Sequence, residues 1–131
     1  MPSQLILDTH IIVRWLSEPR KLSRGQTRAI LTAFRRGESV AISGMSLLEI
    51  ALFANDGRLV KGIEEIFAEL AADPLIRVLP VTYEIALEFG ALSSLRDPGD
   101  RVIVATARVH GLRLVTSDQR IIDSKLVPVV E

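Results

Sequence analysis

The chain has 131 residues, 48 % hydrophobic and 24 % charged, a composition that fits one ordinary globular domain and not a disordered segment. With no cysteine, disulfides, thiol catalysis and zinc–thiolate sites are excluded, and a formal charge of zero argues against holding a polyanion by bulk attraction. The opening Met1-Pro2-Ser3-Gln4 lacks the charged start of a leader, and no apolar run reaches membrane-spanning length. One domain over residues 1–131, in the cytoplasm and away from membranes, is expected.

Strand and helix patterns alternate along the chain. Gln4-Leu-Ile-Leu-Asp8 reads as a buried strand ending in an acid, followed by a short helix over 10–16 that stops before Pro19. Ser23 caps a helix running to about Arg36, closed by Gly37. Residues 39–42 form a second strand, and Ser46 opens a helix that closes near Asn55-Asp-Gly57. Ile63, Ile66, Phe67 and Leu70 recur at helical spacing with glutamates on the other side. Residues 77–79 are a third strand, Thr82 caps a helix to about Ser94, and another helix runs from Pro98 to His110, ended by Gly111. Residues 112–115 and 127–130 supply the last two strands, with Pro128 placing the fifth at an edge. Strands separated by helices predict an α/β fold: a parallel sheet covered on both faces, with its ligand crevice at the carboxyl edge.

Four carboxylates fall where such a fold puts its working groups. Asp8 and Asp118 end strands, whereas Glu49 and Asp100 lie in the first turns of helices. Each has a plain explanation as well. Asp8 and Asp118 suit helix caps, Ser46 and Glu49 match a capping box, and Asp97-Pro-Gly-Asp100 repeats that grammar. Taken together, four acids on one edge form an oxygen-only set suited to Mg²⁺ or Mn²⁺, whose charge would relieve their repulsion. His10 and His110 are isolated. No nucleophile elbow, phosphate-binding glycine loop or dinucleotide fingerprint is present. Two alternatives remain: a small-molecule phosphatase with Asp8 as nucleophile, although His10 stands where such enzymes want a second acid, or a metal-bound module that binds without cleaving.

The segments Leu5-Ile-Leu-Asp-Thr-His10, Ser46-Leu-Leu-Glu-Ile-Ala51, Asp97-Pro-Gly-Asp-Arg-Val-Ile-Val-Ala-Thr-Ala107 and Leu114-Val-Thr-Ser-Asp118 resemble the PIN-domain ribonucleases, specifically the VapC-type toxins of toxin–antitoxin pairs. The resemblance implies a five-stranded parallel sheet of order 3-2-1-4-5, which makes strands one and four neighbours. It implies an endoribonuclease dependent on Mg²⁺, with Mn²⁺ as the alternative, that leaves a 5′-phosphate and a 3′-hydroxyl. It also implies homodimerisation and inhibition by a cognate antitoxin. Asp8, Glu49, Asp100 and Asp118 match the family's catalytic acids, with Asp8, Asp100 and Asp118 as ligands of one or two metal ions and Glu49 either orienting water or completing a second metal shell. The last of these acids varies within the family. Asp97 is assigned a supporting role as cap or outer acid. Thr9, Thr116 and Ser117 are placed to fix carboxylate rotamers, and Arg14 and Arg101 to hold phosphates. Trp15, Leu16 and the apolar face of 47–53 are candidate interfaces for the dimer or the antitoxin.

Overall fold

The computed structural model describes residues 3–131. Met1 and Pro2, which entered the reading of the amino terminus, lie outside them. The central strand β1 (Leu5–Leu7) is only three residues long and entirely buried. Its neighbours are β2 (Val40–Ser43) and β4 (Arg113–Val115), with β3 (Ile76–Leu79) and β5 (Val129–Val130) at the edges. All four pairings are parallel, in the order β3-β2-β1-β4-β5. Leu5 sits opposite both Val40 and Arg113, so the three central strands start level and finish level.

The two-residue period of a strand divides the interior into two cores. Leu5, Leu7, Val40, Ile42 and Val115 point to one face, where α1 (Thr9–Ser17), α2 (Arg24–Arg35), α3 (Gly44–Asn55) and α4 (Ile63–Ala72) contribute Ile12, Ile30, Ile50 and Ile66. Ile6, Ala41 and Leu114 point to the other, against α5 (Tyr83–Ala91), α6 (Pro98–His110) and α7 (Gln119–Ser124). Each fully buried aliphatic side chain stabilises this arrangement by roughly 1.5–3 kcal/mol. Among the described residues no helix is long and apolar enough to cross a membrane.

Local chemistry sets the helix ends. Asp97 caps α6 by accepting the Asp100 amide, Pro98 follows at the first helical position, and Gly111 closes the helix at φ 66°. The α6 segment Ile103–Ala107 is buried all round, and the Thr106 hydroxyl is satisfied by the Val102 carbonyl. Pro128 precedes edge strand β5 and uses only its carbonyl, which accepts the Leu114 amide.

One expected boundary changes. The helix carrying Glu49 starts at Gly44, because Ser43, the last residue of β2, caps it by accepting the Met45 amide. Ser46 is therefore inside the helix, and the capping box expected between Ser46 and Glu49 does not exist. The capping box on α2 pairs Ser23 with Gln26, and Ser23 Oγ also donates to the Glu131 carbonyl beyond β5. Ser23→Ala should lower stability by about 1 kcal/mol in urea unfolding, with the loss confined to the seam between α2 and β5.

Candidate metal centre

Parallel strands that finish level bring the turns after β1, β2 and β4 to one edge, and the acids gather there. Asp8 follows β1 directly and caps α1 through Thr9, whose amide donates to Oδ1 at 2.7 Å. Its other oxygen accepts from Thr116 Oγ1, also at 2.7 Å, across the β1–β4 pairing. Thr116 Oγ1 in turn accepts the Asp118 amide at 3.0 Å, so one hydroxyl ties Asp8 to the turn after β4. Only 5 % of Asp8 is exposed. Burial raises its carboxyl above the usual carboxylate range, while the Thr116 and Thr9 hydrogen bonds and the positive field of His10 partly offset that rise.

Glu49 is held by the same construction from the other side. Thr9 Oγ1 donates to Glu49 Oε1 at 2.6 Å. Because that proton is committed, the 2.8 Å contact between Thr9 and buried Ser46 has the Ser46 hydroxyl as donor. The other Glu49 oxygen lies over Gly99, in space that a Cβ there would occupy, and that same Cβ position is 3.2 Å from Asp97 Oδ1. Burial raises the Glu49 carboxyl first, and the charges of Asp8 and Asp97 add to the rise, against the Thr9 hydrogen bond.

Asp100 shows the crowding most clearly. Burial and then the charges of Asp97, Asp118, Asp8 and Glu49 push its pKa up to about 7. All five carboxylates thus share one electrostatic field. Asp118 adds a cap, accepting the Arg120 amide at 2.9 Å, with Arg120 Nε 3.6 Å from the same oxygen. Among the described residues, however, no three acids or histidines converge on one ligating point. The donors fit a hard divalent cation in type and charge: they are oxygen-only, and burial together with four neighbouring acids raises the Asp100 carboxyl. Drawing them around an ion requires rotation of the side chains at the rim, since Asp8 is fixed by two hydrogen bonds.

The expected supporting residues divide. Thr9, Thr116 and Asp97 stand among the acids, as described above. Ser117 does not touch a carboxylate: its hydroxyl accepts from Gln26 Nε2 at 2.8 Å. Arg101 turns away to α5, donating to the Phe89 carbonyl at 2.6 Å with its guanidinium 4.1 Å from the Phe89 ring centre. This cation–π contact with the neighbouring helix directs the guanidinium away from the acids beside which a phosphate role is expected. Arg14 stands in the last turn of α1, roughly 9 Å along the axis from the Asp8 cap. Two contributors escaped the sequence. Buried Gln26 reaches both the Thr116 carbonyl and Ser117 from α2, and exposed His10 acts on Asp8 and Glu49 through space. The place of His10 two residues after a strand-end acid was the available signal; nothing local marked Gln26 beyond its cap.

The folded Asp100 pKa lies above its ordinary value of 3.8. Between about pH 4 and 7 the native state therefore keeps a proton that the unfolded chain has released, and stability falls as pH rises through this window. Without divalent cation, Asp100→Asn should match the wild type near pH 4 and exceed it above pH 7. Asp97→Ala, which removes a cap, should instead cost about 1 kcal/mol at either pH. Thermal melts of both variants across that range check the contrast.

Known proteins share this fold. The model of the PIN domain family matches residues 5–125. Ribonuclease VapC22 of Mycobacterium tuberculosis is 33 % identical over 119 residues, covering 89 % of this chain and 88 % of its own. Among solved structures, FitAcB from Neisseria gonorrhoeae superimposes with a TM-score of 0.68 at 23 % identity, covering 97 % of this chain and 96 % of that one. VapBC2 from Rickettsia felis, bound to a DNA fragment from its promoter, gives 0.73 at 15 % identity over 98 % and 97 %. At such identities the structures speak for the fold alone. The match over nearly the whole chain and the relative at 33 % carry the assignment: this chain belongs to the PIN domain family.

Proposed function

We propose that the chain is a divalent-cation-dependent endoribonuclease, the toxin of a toxin–antitoxin pair, acting on RNA in the cytoplasm and held inactive by a cognate antitoxin. The relative at 33 % identity, Ribonuclease VapC22, supports that class. The observation that carries the chemistry is the setting of Asp100, where burial and then the charges of four other carboxylates raise its pKa, with Arg120 beside Asp118 as the single ion pair to these acids among the described residues.

Asp8, Asp100 and Asp118 would hold the cation, Mg²⁺ or alternatively Mn²⁺. When bound, it supplies charge to neutralise the phosphate and lowers the pKa of water at the site. Asp8 is the fixed ligand, because Thr9 and Thr116 hold its carboxylate in one rotamer. Glu49 keeps one oxygen on Thr9 and offers the other to a water, and its raised pKa suits it to accept a proton. Attack by that water in line with the leaving oxygen forms a new O–P bond and breaks the bond to the 3′ oxygen. The products are a 5′-phosphate and, after proton uptake, a 3′-hydroxyl.

A homodimer fits the remaining surface. Leu48 and Leu52 on α3, Val78 on edge strand β3, Val81 after it, and Tyr83 and Leu87 on α5 are all exposed. They flank the unpaired edge of the sheet, where a second copy would cover apolar area that a monomer exposes at a cost.

Three outcomes test this reading. Asp8→Asn should stay folded, since the amide preserves the cap, but should lose RNA cleavage in Mg²⁺ by more than a hundredfold. Cleavage retained by the folded variant would remove Asp8 from the metal site. Mg²⁺ should raise the stability of the wild type, by about 3 kcal/mol at a hundred times its Kd, and that of Asp100→Asn much less. Tyr83→Asp with Leu87→Asp should convert a dimer to a monomer in light scattering; a dimer that survives both would move the interface elsewhere.

A further inference from the structure

The site just described repels RNA. Five carboxylates gather at this edge against two arginines, Arg96 and Arg120, which line the cavity that holds Asp97 and Asp100; Arg14 and Arg101 lie elsewhere, and the formal charge of the whole chain is zero. A ribonuclease built this way needs its positive charge concentrated close to the acids. Helix α2 concentrates it. The helix carries Arg24, Arg28 and Arg35 at intervals of four and seven residues, so the three share one face, and all three are exposed. Arg20, on the 3₁₀ turn Pro19–Lys21 before the helix, continues the row, and α2 contains no acidic residue.

These four arginines line a single groove of about 490 Å³ between the 3₁₀ turn and α2, with Pro19, Leu22 and Leu31 as its apolar lining and no carboxylate among its walls. Among the described residues, none of the four forms a salt bridge, whereas Lys21, Lys61, Arg108 and Arg120 all do. The groove is also anchored to the acids. The first turn of α2 binds the turn after β4 through Gln26 Nε2, which donates to Ser117 Oγ at 2.8 Å and to the Thr116 carbonyl at 3.3 Å. Thr116 holds Asp8. From Arg24 to Arg35 the row extends roughly 16 Å along the helix, leading from the carboxyl edge of the sheet toward its amino edge.

We propose that the α2 groove is a docking surface for the phosphodiester backbone of the RNA substrate, gripping the strand beyond the scissile bond through Arg20, Arg24, Arg28 and Arg35. The inference rests on the ribonuclease reading and deepens it. Arginine forks bind phosphate oxygens bidentately and read no base, so the groove supplies affinity and register while sequence preference arises at the acids. The proposal commits to RNA over an acidic protein segment because the helix that bears the arginines is tied through Gln26 to the turn whose Thr116 holds Asp8, which sets the row on the element beside the acids.

The test uses the full chain carrying Asp8→Asn, to stop cleavage, with and without Arg24→Gln, Arg28→Gln and Arg35→Gln together. These side chains are exposed, and matching melts establish that the fold is kept. Binding of a labelled single-stranded RNA of mixed sequence is followed by fluorescence anisotropy across a salt series. The expected result is affinity weakened by about tenfold or more, and a salt slope shallower by about 2, three lost contacts at roughly 0.7 each. In the cleaving protein, the triple substitution should raise KM on long RNA and leave kcat unchanged. Unaltered RNA affinity and slope overturn the proposal, as does a loss of binding to polyglutamate with RNA binding intact, which would mark a protein-binding surface. If the protein with Asp8 intact cleaves no RNA in Mg²⁺, the ribonuclease reading fails by itself, and the anisotropy still decides the groove. Cleavage by the intact protein with no effect of the arginines sinks the groove alone.

Discussion

Asp8 is a carboxylate taken almost wholly out of water at the end of the central strand, and the surroundings of the site are organised around that placement. Desolvating an ionised carboxylate costs several kcal/mol unless hydrogen bonds or opposite charge offset it. Two donors do part of this, the Thr9 amide and the Thr116 hydroxyl. Both donors are themselves fixed. Thr9 is locked between Ser46 and Glu49 on α3, and Thr116 accepts the Asp118 amide. The buried acid thus links the turns after β1, β2 and β4 into one unit, which explains why strands that are short and level suffice to position acids from four segments. What hydrogen bonds leave uncompensated, a cation is suited to supply.

This also separates the roles of the acids. Asp8 has no freedom, Glu49 has one oxygen committed to Thr9 and the other over Gly99, and Asp100 has no side-chain donor among the described hydrogen bonds and a pKa pushed up to about 7. The three acids thus differ in how firmly hydrogen bonds hold them, Asp8 through both oxygens, Glu49 through one and Asp100 through neither.

Much of this was legible from local patterns. Apolar runs ending in Asp8 and Asp118 marked strand ends, and Asp-Pro-Gly-Asp before an apolar stretch marked the start of α6, because those signals act within a few residues. The neighbourhood of β1 and β4 was not local; spacing left it open, and the family resemblance supplied it. The start of α3 was misplaced because Ser43 serves as strand residue and cap at once, while Ser46 three positions later imitates a cap from inside the helix. Nearness to Asp100 in sequence says nothing about the direction of Arg101, which reaches from α6 to Phe89 on α5. Gln26 was invisible as a site residue because its second contact spans 90 positions.

The account depends on the acids sharing one field that a divalent cation relieves. The most direct measurement is a carbon-detected NMR titration of the side-chain carboxyls, with and without Mg²⁺. Asp100 should titrate near pH 7 in the absence of the cation, and Mg²⁺ should drive that midpoint down by two units or more, with Asp8 and Glu49 falling alongside it. An Asp100 that titrates in the ordinary carboxylate range without cation and does not respond to Mg²⁺ would contradict it.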